Sequence, residues 1–95
     1  MDVNSIPIPD NEFTLEELDN ELLLYHPTKT TTVYMNETAS IIWRLCDGKR
    51  SIAEITDLIK DSYPEVGDRA TEDVEATLQI FRDHGAITVE EPVRA

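Results

Sequence analysis

The run from Tyr34 to Ile59 restricts what this chain can fold into more tightly than any other stretch. Asn36 closes a β-branched segment, Thr30 to Tyr34, and has the short side chain that accepts a hydrogen bond from a first-turn N–H. Glu37 then stands at the positive end of the dipole. A helix is predicted from Glu37. Ala39, Ile42, Trp43 and Cys46 recur at helical spacing, and Ile41 with Leu45 widens the apolar surface to nearly the whole circumference, which predicts a core helix. Asp47-Gly48 ends it, Gly48 being suited to a left-handed position. Ser51 with Glu54 forms a capping-box pattern that starts a second helix almost at once. There Ile52, Ile55, Leu58 and Ile59 share a face, and Pro64 forbids continuation. Two helices are therefore expected to meet at a short, fixed corner.

The flanking segments supply the remaining elements. Ile6-Pro7-Ile8-Pro9 cannot form a helix, and its prolines lack the N–H that the inside of a sheet requires, so residues 1–11 read as an extended arm. Phe13 to Leu18 and Glu21 to His26, joined by Asp19-Asn20, read as a hairpin, because Phe13 and Leu15 alternate with polar neighbours and Pro27 terminates the second run. A short helix capped by Thr14 with Glu17 competes with that reading. Thr30 to Met35 is the next strand, with Val33 and Met35 toward the core and Thr32 and Tyr34 away from it. A loop, Pro64 to Asp68, precedes a third helix that starts near Ala70 with Thr71 as a possible cap. Its apolar stripe is Val74, Leu78 and Phe81, with Ile80 at the edge, and Gly85 ends it. Ala86 to Val89 is a short extended segment that caps the core or adds a strand.

Charge limits the classes of partner. Twenty acidic and eight basic residues give a formal net charge of −12. Residues 1–20 hold six acids and no base, residues 21–50 three acids and four bases, and residues 51–95 eleven acids and four bases. Such a surface repels polyanions, since non-specific nucleic-acid binding depends on Lys and Arg displacing counterions. A lone cysteine, Cys46, permits no intramolecular disulfide and falls on a core face. The first residues show no basic n-region and apolar h-region, and no run is long enough to span a bilayer, so a cytoplasmic protein without membrane attachment is expected.

No reaction chemistry is legible. Two separated histidines, His26 and His84, with one core cysteine give no metal-ligand spacing, and neither a nucleophile motif nor a phosphate-cradling glycine loop occurs. The expectation is a non-enzyme without metal or cofactor. Asp61-Ser62 echoes a carrier-protein attachment site, but Ser62 closes a helix where that serine must open one. A winged-helix DNA reader would share the strands and the three-helix core. Its recognition helix would be the third, whose Glu72, Asp73, Glu75 and Asp83 outweigh Arg69 and Arg82. Peptide binding by strand addition remains, since a Thr-rich strand at a sheet edge offers unpaired backbone groups to an extended peptide.

Several of these residues also carry a resemblance. Met35-Asn36-Glu37-Thr38-Ala39, Ile42-Trp43, Asp47-Gly48 and Asp73-Val74, in this order between about Phe13 and Thr88, resemble the PQQ biosynthesis protein D (PqqD) family, which belongs to the RiPP recognition elements. The resemblance implies an α+β, winged-helix-like fold, a three-stranded antiparallel sheet packed on a three-helix bundle. It divides the chain into the arm 1–11, a peptide-binding domain 12–89 and a tail 90–95. It also implies a role as carrier: the leader of a ribosomally made precursor peptide adds as a strand and is presented to a modifying enzyme, commonly a radical SAM enzyme, in PQQ or other RiPP biosynthesis. Carried over, the binding strand is Thr30, Thr31, Thr32, Val33, Tyr34 and Met35. The groove side of the third helix is drawn from Asp73, Thr77, Ile80, Phe81 and His84, of which Phe81 equally suits the core. A winged-helix DNA-binding or regulatory domain is the alternative.

Overall fold

In the structure, a computed structural model that describes residues 2–19 and 21–91, Asn36 caps helix α1 (Glu37–Leu45) by accepting from the Ala39 N–H at 2.8 Å. The helix is less buried than its composition predicts. Ser40 and Ile42 are enclosed, while Ile41, Trp43 and Leu45 are half-buried. Cys46 is the C-cap, and the left-handed residue, Gly48 (φ +78°), stands two positions beyond it. Asp47 holds the corner by accepting from the N–H groups of Lys49 and Arg50 at 2.8 and 3.0 Å.

Helix α2 (Ile52–Ser62) begins with the full capping box, Ser51 and Glu54 bonding each other's backbone N–H at 3.2 and 3.1 Å. The two donors that a capping box leaves over are met from the N-terminal segment: the Ile52 N–H donates to the Ser5 carbonyl at 2.9 Å and the Ala53 N–H to that of Val3 at 2.8 Å. All the orphan donors of a helix start are thereby satisfied. Ile52, Ile55 and Ile59 are buried as predicted, but Leu58 is 38% exposed and Thr56 takes the inward position. Its hydroxyl tolerates burial because it donates to the Ile52 carbonyl at 2.8 Å.

Pro64–Arg69 is a 3₁₀ segment, broken at Gly67, that leads directly into α3 (Ala70–Asp83). Thr71 is therefore inside the helix and caps nothing; the Ala70 N–H is already bonded to the Gly67 carbonyl. Val74, Leu78 and Phe81 point inward.

The hairpin reading of residues 13–26 holds. Strand β2 (Thr14–Leu18) pairs antiparallel with β3 (Glu21–His26), and β3 with β4 (Thr31–Met35), giving the order β2-β3-β4. Asp19 makes the turn with φ +51°, while Asn20 lies outside the described residues. Thr30 is not in the strand. It adopts φ +50° in the turn from β3, so the strand starts at Thr31. Leu24 and Val33 are opposite each other on the core face, and Tyr34, opposite Leu23, stands on the other face with 69% of its surface exposed.

A second sheet was not expected from the prolines. Strand β1 (Ile6–Pro9) pairs antiparallel with β5 (Ile87–Glu90), Pro7 opposite Val89 and Pro9 opposite Ile87. Prolines two residues apart direct both missing donors to the same side of a strand, so one side keeps the N–H groups of Ile6 and Ile8 for the ladder. The last extended segment thus joins the arm and not the three-stranded sheet. Glu90 closes it, and residues 92–95 lie outside the described residues. The result is an α+β fold in which the three-stranded sheet and three helices enclose one core.

Candidate functional site

Among the described residues no strand pairs with the outer side of β4. Its free N–H and C=O groups are a template for another chain. The opposite edge, β2, is guarded by exposed Glu16 and Glu17, whereas Thr31, Thr32, Val33, Tyr34 and Met35 present no charge along β4. That asymmetry makes β4 the more receptive edge.

Past the end of β4, where Asn36 opens α1, lies a face of α3. Asp73, Thr77, Ile80 and His84 follow one another at intervals of four, three and four, which places them in one stripe. Asp73 and Thr77 help line a hollow of about 300 Å³ whose other side is Asn36 and Thr38 at the start of α1, with Val66 and Ala76 completing it. Ile80 is 49% exposed, an apolar residue presented to solvent on that stripe. The His84 Nδ1 lies 2.8 Å from the Ile80 carbonyl, which can only accept, so the ring donates there. Phe81 does not belong to this surface. It is 1% exposed and stacks edge-on against Trp43, with centroids 5.6 Å apart.

Another cluster was invisible in the sequence. Asp10, Glu12 and His26 bring their side-chain ligand atoms within 4.8 Å of one another. His26 is buried, and its Nδ1 accepts from the Lys29 N–H at 3.0 Å, which places the ring hydrogen on Nε2. Nε2 faces Glu12 Oε2 at 2.9 Å and Asp10 Oδ2 at 4.0 Å, although the nearer oxygen lies off the N–H axis and no aligned hydrogen bond forms. In this tautomer the nitrogen facing the carboxylates offers a hydrogen and not the lone pair that a metal needs. The arrangement ties the segment before β2 to the turn before β4. Spacing could not reveal it, because Asp10 and Glu12 reach His26 only through the fold.

Cys46 is buried with its Sγ donating to the Ile42 carbonyl at 3.2 Å, and burial, reinforced by the Asp47 charge, pushes the thiol up to about 12. Such a thiol is a poor nucleophile. On the exposed side of α3, Glu72, Asp73 and Asp83 face solvent with Arg82, an acidic balance for any phosphate backbone. No helix is long and apolar enough to cross a membrane among the described residues.

The family model described as Coenzyme PQQ synthesis protein D (PqqD) matches residues 21–87, from β3 to the start of β5. Two curated proteins of Klebsiella pneumoniae, one of them from strain 342, are each named PqqA binding protein and are each 40% identical over 58 residues. The alignment spans 61% of this chain and 62% of theirs, less than two thirds of the relatives' own length. No solved structure matches the chain.

Proposed function

The chain belongs to the PqqD family, and from that premise we propose that it is a non-catalytic carrier which binds the leader of a ribosomally made precursor peptide by strand addition to β4. The leader extends the three-stranded sheet by one strand, takes its backbone hydrogen bonds from Thr31–Met35, and lays alternate side chains toward Asp73, Thr77, Ile80 and His84 on α3. The carrier presents the bound precursor to a modifying enzyme, a radical SAM enzyme, in the cytoplasm. The observation that carries this reading is the uncharged, unpaired edge of β4, with a hollow just past its end that reaches Asp73 and Thr77 of α3. The relatives' name, which says that they bind PqqA, supports a peptide as the ligand. The buried thiol and the absence of a nucleophile motif from the sequence support a binding role over a catalytic one.

The test is a titration of isotope-labelled protein with a candidate leader peptide, followed by amide shifts and calorimetry. Shifts concentrated in Thr31–Met35 and in the Asp73–His84 stripe, with micromolar or tighter association, are expected. Shifts confined to the N-terminal arm or to α2, or binding of specific DNA without binding of peptide, would overturn the proposal.

A further inference from the structure

Where the free edge runs out, at Tyr34 and Met35, the surface opens into a larger hollow of about 890 Å³. Leu22 and Met35, opposite each other across the β3–β4 ladder, give it a half-buried apolar floor. Three carboxylates border it: Glu17 from β2, Glu21 from β3 and Glu37 from α1. No lysine or arginine lines the hollow, and among the described residues none of the three carboxylates is held in an ion pair. Asn36 borders both this hollow and the smaller one against α3, so the two adjoin past the end of β4.

That combination selects a chemistry. A long aliphatic stem ending in a cation lies along an apolar floor while its charged head reaches carboxylates at the border. An acidic side chain would be repelled, and an apolar one would leave the bordering carboxylates without a partner. We propose that the hollow receives a lysine or arginine of the peptide seated on β4. The inference rests on the strand-addition reading and goes further by naming a residue class in the ligand. Its consequence is register. Backbone bonds alone allow an added strand to slip, and a slip by one residue turns every side chain to the other face. A basic anchor at the end of the edge admits one register.

The probe is a display library of short random peptides selected on the full chain. Recovered binders are expected to carry a lysine or arginine at a constant distance from their apolar positions. Replacing that residue by methionine should weaken binding about tenfold, and the E17Q/E21Q/E37Q protein should show the same loss with the unmodified peptide and no additional loss with the methionine peptide. All three glutamates are solvent-exposed, so the variant should keep its circular dichroism, and the methionine peptide tests the idea on unaltered protein. Binders that shift the amides of Thr31–Met35 yet show no basic preference would overturn the anchor and leave strand addition standing. Binders that shift amides elsewhere would overturn both.

Discussion

Trp43 joins parts of the molecule that are far apart in sequence, and its removal offers a quantitative check on the core. Its ring meets Phe81 of α3 edge-on at 5.6 Å and 79°, and Phe13, just before β2, at 6.5 Å and 62°. A fully buried aromatic truncated to alanine costs about 3–5 kcal/mol. Trp43 is half-buried, so the transfer and cavity part falls to about 2 kcal/mol, and two edge-to-face pairs at roughly 0.5–1.5 kcal/mol each bring Trp43→Ala to about 3–5 kcal/mol. A domain of this size has about 5–14 kcal/mol in all. The midpoint of thermal unfolding should therefore drop by about 12–25 °C. Urea unfolding followed by circular dichroism is the assay, since the substitution removes the chain's single tryptophan. Trp43→Phe keeps one ring edge and should lose only about 1–2 kcal/mol. Combining Trp43→Ala with Phe81→Leu should show a coupling of about 1 kcal/mol. A loss below about 1 kcal/mol for Trp43→Ala, or no coupling with Phe81, would refute the role given to these ring contacts.

Other outcomes follow from the same geometry. Adjacent strand residues direct their N–H groups oppositely, so of Thr32→Pro and Val33→Pro one should abolish peptide binding with the fold retained and the other should damage the β3–β4 ladder, while Thr32→Ala changes binding little; calorimetry with circular dichroism separates them. Burial holds the Cys46 thiol protonated, so the folded protein binds the proton more tightly than the unfolded chain, whose ordinary value is 9.0. Stability from this group is complete below that value and should fall as the pH rises from about 9 toward 12, which urea unfolding at successive pH values measures. A thiol reagent should correspondingly label Cys46 only in denaturant. Ser51→Ala removes the acceptor for the Glu54 N–H and half of the capping box, and Asn36→Ala removes that for Ala39; each should cost about 1 kcal/mol in chemical denaturation.

Local chemistry made much of this protein legible in its sequence. Asn36, Ser51 with Glu54, and the spacings of Ile52, Ile55, Ile59, Val74, Leu78 and Phe81 act within one helical turn or along one helix face, and the structure places each where that chemistry requires. The hairpin and the alternation along Thr31–Met35 are local in the same sense. What the sequence could not supply were juxtapositions. The pairing of Ile6–Pro9 with Ile87–Glu90 joins segments almost a chain length apart, and only the paired partner decides which side of a proline-bearing strand must donate. The arm carbonyls that complete the α2 cap, and the meeting of Asp10 and Glu12 with His26, depend on that same docking. Phe81 and Ile80 are neighbours in sequence, yet one is enclosed and the other half-exposed, because the packing of α1 against α3 sets how far α3 is turned toward the core. The hollow at the end of β4 was equally unreadable, since Glu17, Glu21 and Glu37 come from three elements and are ordinary surface acids until the fold places them around Leu22 and Met35. Periodicity and capping act over a few residues and so are written in the order of side chains, whereas the surroundings of a charge or a cavity belong to whichever distant segments the fold brings there.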